Sequence, residues 1–280
     1  MSMNSFHARN SKPRAPRLAD TPAARSGLRA DAWLVAHGLA PSRTVARRMI
    51  EAGRVVWRNT GRPETVDKAS QLLPETAAVT VAPDEEDRYV SRGGLKLAGA
   101  LATSGIRMHG LACLDVGQST GGFSDCLLQA GAARVVGVEV GHDQLHPRLH
   151  GRNDLACLEG TNARHLTIAD LHGHFPPGGF DLIVADLSFI SLALVLPALP
   201  PLLAVSGQML LLVKPQFEVG PGNLAKGGIV RDTSLYPEVE QRIRTAAALS
   251  GLRVRGWIES PITGGDGNRE FFLWTEHEHT

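Results

Sequence analysis

The chain has 280 residues, 43% hydrophobic and 20% charged, enough for one large domain and one small one with a substantial core. Cys113, Cys126 and Cys157 are widely spaced and form no CxxC pair, which excludes a disulfide framework or zinc ribbon and suits a reducing cytoplasm; no apolar run reaches the length of a membrane span. The net charge of +1 hides an imbalance, because residues 1–58 carry eleven Lys and Arg against three acids, or +8, and the rest carries 18 against 25, or −7. A basic head on an acidic body suits a polyanionic partner, although a solvated basic tail would have the same composition.

Residues 1–27 have the character of a disordered basic arm, without an apolar signal core. A helical pattern begins at Leu28, where Leu28, Ala32 and Val35 share a face and Gly38 is a natural stop. Ser42 is placed to cap a second helix, on which Val45, Met49 and Ile50 point one way and Arg43, Arg47 and Arg48 another. Residues 55–57 and 78–82 read as strands, and Trp33 and Trp57 as core of this small unit. The character changes near Arg88. From there, strands at 112–116, 133–138, 182–185, 208–213 and 270–275 alternate with helices at 122–130 and 238–249. Buried strands alternating with helices predict an α/β fold, a Rossmann-like and mainly parallel sheet with helices on both faces, preceded by a small α+β unit. The expected division is an arm over 1–27, the basic unit over 28–88 and the α/β domain over 89–280.

The first strand of that domain runs into Asp115-Val116-Gly117-Gln118-Ser119-Thr120-Gly121-Gly122-Phe123 and a helix. Such a glycine turn is where nucleotide-like cofactors bind in doubly wound folds, yet neither GxGxxG nor GxxxxGK[ST] is present, so a phosphate grip is not expected. Glu139 ends the second strand, 22 residues after Gly117, where an acid can bond a ribose diol. An adenosine-bearing cofactor without a gripped phosphate satisfies both features; a tight turn beside an ordinary surface glutamate satisfies them equally.

Four charges add weight. Asp186 ends one apolar strand and Lys214 ends the next; Lys96 precedes the first strand and Glu270 enters the last. Charges directly after Val/Leu runs sit at strand tips, where α/β active sites form.

The stretch from Arg29 to Val55, with Asp31, Leu34, Gly38, Ser42, Arg43, Ala46, Ile50 and Gly53, resembles an S4 domain, a small RNA-binding fold; Ala30, Thr60 and Ala69 depart from its pattern. The strings STGGF (119–123), VADLSFISL (184–192), VKPQFEVG (213–220) and GN.E.FLW (267–274) resemble those of the TlyA family of ribosomal RNA 2′-O-methyltransferases, whose catalytic domain is of the FtsJ/RrmJ type. The resemblance covers about residues 28–276 and implies S-adenosylmethionine as cofactor and ribosomal RNA or ribosomal subunits as partner, with cytidine the nucleotide. It implies a catalytic tetrad of Lys96, Asp186, Lys214 and Glu270. It implies cofactor contacts from Gly117, Ser119, Thr120, Gly121, Gly122, Phe123, Glu139, Asn162 and Asp186, and RNA contacts from Arg29, Arg43, Arg47, Arg48 and Arg54. Gln118 stands where the family usually has Ala and is expected to narrow the cofactor loop.

Other readings are weaker. His142, His146 and His150 recur every four residues, but Pro147 breaks the helix that would align them, so no metal site is expected. A membrane-active cytolysin, which is the family's older label, would need a long apolar or strongly amphipathic segment. A non-catalytic RNA-binding scaffold would have no need for the four strand-tip charges.

Overall fold

Short apolar runs separated by turn residues fold the chain into two units, divided between Pro83 and Asp84. The computed structural model describes residues 27–59, 61–84 and 87–278; apart from Gly27, the expected basic arm lies outside the described residues.

The first unit comprises β1 (Leu28–Arg29), α1 (Ala30–Ala36), α2 (Arg43–Glu51), β2 (Val55–Asn59), β3 (Arg62–Thr65), β4 (Leu72–Leu73) and β5 (Ala78–Val81). β1 pairs with β4, and β3-β2-β5 form an antiparallel sheet. The first helix differs from its expected face. Leu28 lies in β1 and is largely exposed, whereas Ala30, Trp33 and Leu34 are buried at i, i+3 and i+4. Trp33 satisfies its indole by donating to the Pro74 carbonyl at 2.9 Å. On α2, Ala46, Met49 and Ile50 face inward, and the Ser42 hydroxyl accepts from the Val45 N–H at 3.3 Å.

The second unit holds α3 (Gly93–Ser104), β6 (Ala112–Val116), α4 (Gly122–Gln129), β7 (Arg134–Val138), β8 (Leu155–Leu158), β9 (Phe180–Ala185), β10 (Leu203–Val213), α5 (Tyr236–Leu249), β11 (Leu252–Glu259) and β12 (Phe271–His277). The seven strands take the order β11-β12-β10-β9-β6-β7-β8. β10, β9, β6, β7 and β8 run parallel, and β12 returns antiparallel between β10 and β11. Alternation along each strand serves both faces. Leu211 and Val213 pack with Val239 and Ile243 of α5, whereas Leu210 and Leu212 pack with Leu97 of α3 and Leu127 of α4. The crossover from β9 to β10 is a run of 3-10 turns over residues 192–202, because Pro197, Pro200 and Pro201 cannot sustain an α-helix. The order reverses at β6, whose neighbours are β7 and β9, and a crevice opens there at the carboxyl ends of the strands.

The glycine turn after β6 is braced from beneath. Gln118 is 3% exposed and its side chain turns inward, away from the cofactor loop that it was expected to narrow. Its amide donates to the Ser124 hydroxyl at 2.8 Å, which donates to Asp115 at 2.7 Å. Room for this exists because residue 137 is glycine, where a Cβ would fall 2.1 Å from the Gln118 amide carbon. Burial pushes the Asp115 carboxyl up to about 7, opposed by the Ser124 hydroxyl.

Gly137→Ala should therefore destabilise the domain by about 1–3 kcal/mol through overpacking, and adding Gln118→Ala should recover most of that loss in urea unfolding. Purely additive effects would show that the two positions are not coupled. Because Asp115 titrates near 3.8 unfolded and about 7 folded, the fold favours its protonated form. Its contribution is complete at low pH and is lost as pH rises through about 7. Asp115→Asn should flatten the fall in stability across that window; a slope equal to the parent's would mean that the folded carboxyl is ionised there.

Candidate active site

Strand register determines which charges meet. In the antiparallel pair β10–β12, Val213 lies opposite Phe271, so the next residues outward, Lys214 and Glu270, face each other at the sheet edge. In the parallel pair β9–β10, Ala185 lies opposite Leu211, and Asp186 leaves β9 at that same edge. Lys96 comes from the first turns of α3, whose Gly93 abuts Asp186 closely enough that a Cβ there would lie 3.7 Å from Oδ2.

The four charges form two ion pairs. Lys214 Nζ lies 2.7 Å from Asp186 Oδ1 and Lys96 Nζ lies 2.5 Å from Glu270 Oε2. Lys214 also donates to the Ser188 hydroxyl at 2.8 Å, a partner that sequence reasoning missed. Burial raises the Glu270 carboxyl above its usual range even though Lys96 and Lys214 oppose the shift.

A cavity of 490 Å³ adjoins this cluster, lined among others by Gly117, Ser119, Glu139, Asn162 and Asp186. Gly117 has φ +81°, and a Cβ there would sit 2.9 Å from the Asp186 carbonyl oxygen, so the two loops approach as closely as they do only around a glycine. Glu139 is held by two backbone donors, the Ser119 N–H at 2.9 Å and the Gly141 N–H at 2.8 Å. Its oxygens keep lone pairs for a further donor. Asn162 accepts from the Arg164 N–H at 3.0 Å and so fixes the turn at the far wall.

The other expected cofactor residues do not line this cavity. Thr120 is exposed outside it, and Gly121 is packed under Leu145 and Leu149. Gly122 is packed against Ser91, and Phe123 is a core residue beside Phe272. On the other wall, sequence reasoning missed Phe189. Its backbone is left-handed at φ +64°, its side chain is 92% exposed, and its ring lies 5.4 Å from that of Phe217. An exposed aromatic in so strained a backbone conformation is the kind of outlier that points to function.

In the first unit, Arg29, Arg43 and Arg47 all reach Asp31. Arg48 is exposed on α2 outside that group. Arg54 is turned to structure, donating to the Ala82 carbonyl at 2.9 and 2.8 Å. Of the histidines, His146 accepts from the Arg148 N–H and His150 bonds the Leu145 carbonyl. Among the described residues no group of three or more His, Cys, Asp or Glu could hold a metal ion, and no helix is long and apolar enough to cross a membrane.

The FtsJ-like methyltransferase family matches residues 89–277 and the S4 domain matches residues 28–56. A Mycobacterium tuberculosis protein named 16S/23S rRNA (cytidine-2'-O)-methyltransferase TlyA is 45% identical over 246 residues, 88% of either chain. Two solved structures carry hemolysin titles. The Streptococcus thermophilus one has a TM-score of 0.69 at 37% identity and covers 91% of this chain and 90% of its own. The Lactococcus lactis one has a TM-score of 0.64 at 39% identity and covers 69% and 89%. With both domains matched and this identity along most of its length, the chain belongs to the TlyA family of FtsJ-like, S-adenosylmethionine-dependent methyltransferases that carry an S4 domain.

Proposed function

We propose that this protein methylates a ribose 2′-oxygen of ribosomal RNA, at cytidine, with Lys96, Asp186, Lys214 and Glu270 as its catalytic residues and the cytoplasm as its place of action. The observation that carries the reading is the double ion pair, Lys214–Asp186 and Lys96–Glu270, next to the cavity that Asp186 and Glu139 line. The specificity for cytidine takes its support from the name of the mycobacterial relative.

The residues suit the cofactor. The cavity lies within the usual size of a small-molecule site, Glu139 can take a ribose diol, and Asn162 stands on the wall where an adenine would lie. Bound S-adenosylmethionine supplies a methyl group on a sulfonium centre. The protein has to bring a poor nucleophile, the 2′-hydroxyl, into line with that carbon and favour its anionic character. Lys214 is an electrostatic anchor for this task. Asp186 and Ser188 fix its ammonium in direction, leaving a donor for the 2′-oxygen as negative charge develops there. Lys96 and Glu270 form the second wall of the clamp, and their mutual pairing limits the cost of burying either charge. Phe189, braced by Phe217, offers a flat apolar face on which an unstacked base could rest.

Lys214→Ala should lower methyl transfer to ribosomal RNA by at least about 100-fold, the scale of losing one preorganised donor, and leave cofactor affinity within a few-fold. Radiolabel transfer and cofactor titration measure the two quantities separately. Retained transfer would remove Lys214 from the mechanism, and parallel loss of cofactor binding would assign it to the cofactor instead.

A further inference from the structure

The basic head gathers its arginines around a single carboxylate. Asp31, in the first turn of α1, is wholly buried, yet three arginines from β1 and α2 reach it. Arg29 bonds Oδ1 at 3.1 Å and Oδ2 at 3.2 Å; Arg43 and Arg47 both bond Oδ2, at 3.0 and 3.2 Å. The remaining oxygen valence takes the Ala32 N–H at 3.0 Å. The Arg29 guanidinium, followed by those of Arg43 and Arg47, holds the Asp31 carboxyl well below the usual carboxylate range, against the effect of burial. The cluster therefore keeps a local charge of about +2 at any physiological pH.

Stability does not account for this arrangement. Burying a carboxylate is costly, and half-exposed arginines contribute little as ion-pair partners. Geometry accounts for it better. Three cations that repel one another are brought within reach of one atom pair, and their side chains remain 45%, 54% and 52% exposed. Arg29 spends two N–H groups on Asp31, and Arg43 and Arg47 spend one each, so most of their donors are left for another acceptor. Guanidinium forks held in fixed planes match phosphate oxygens, whereas loose ones lose rotamer entropy on binding. The cluster lies within the span that the S4 domain matches and within the +8 stretch of the sequence.

We propose that Asp31 is the positioning residue of a three-arginine clamp, Arg29, Arg43 and Arg47, that grips the sugar–phosphate backbone of the RNA substrate. This rests on the reading of the protein as an RNA methyltransferase. It implies that removing a negative charge from the basic head weakens RNA binding. Charge counting alone demands the opposite, because Asp31→Asn raises the local charge.

The test compares the whole chain with its Asp31→Asn and Arg47→Lys variants, by affinity for unmodified ribosomal RNA across a salt series and by steady-state transfer. Asp31→Asn should bind about ten-fold more weakly, as expected when phosphate contacts lose alignment. Its kcat should be unchanged and its KM for RNA raised, a split that damage to the catalytic unit would not give. Arg47→Lys keeps the charge, loses the planar fork, and should also bind several-fold more weakly. Asp31→Asn binding as tightly as the parent, or more tightly, with the circular dichroism of the parent, overturns the clamp. If Asp31→Asn unfolds the first unit, Arg47→Lys decides alone, and unchanged affinity overturns the clamp. A parent chain that binds no RNA overturns the methyltransferase reading instead.

Discussion

A sheet covered on both faces by apolar side chains leaves its charges only the strand ends. In the larger unit, alternate residues of β9, β10 and β12 enter one core or the other, so Asp186, Lys214 and Glu270 stand where the strands emerge. Desolvation imposes this, since an ion in either core would cost several kcal/mol unless fully paired. The arrangement of the four charges follows from the register. The antiparallel return of β12 sets Glu270 against Lys214, the parallel step sets Asp186 beside Lys214, and α3 brings Lys96 to Glu270. The reversal of strand order at β6 opens a crevice against the same cluster, lined by Gly117, Glu139 and Asp186.

That logic made part of the site legible in the sequence. Asp186 and Lys214 directly follow buried Val/Leu runs, and Glu139 ends a third, so their places at strand tips could be read from hydrophobicity alone. What each charge touches could not. The Lys214–Ser188 bond depends on how the turn after β9 folds, and Phe189 is exposed because its backbone takes a left-handed conformation that no residue pattern announces. Helix α3 begins with Gly93-Gly94, poor helix formers, and is held by packing of Leu97 and Ala100 instead. Gln118 and Phe123 both lie in the glycine turn region, and both turn inward. The reason for the first is a glycine in the neighbouring strand, and the reason for the second is an aromatic on β12. Such long-range complementarity is invisible to local reading.

The same distinction holds in the basic head. Composition marked it as basic, and spacing placed Arg43 and Arg47 one helical turn apart. The buried acid that gathers them with Arg29 sits on a different helix, and Arg54, equally basic in sequence, is turned to the Ala82 carbonyl just after β5. Charge counts therefore overstate how many arginines a ligand meets in the same manner. Residues 1–58 carry a net +8 and the rest of the chain −7, so the sequence is electrostatically polarised along its length. The larger unit carries the methyltransferase domain.

The most direct measurement incubates the protein with ribosomal subunits lacking the modification and isotopically labelled S-adenosylmethionine, then digests the RNA to nucleosides and weighs them. Ribose methylation as proposed puts the label in 2′-O-methylcytidine, confined to discrete sites. Label on a nucleobase, or RNA left unlabelled, would contradict it.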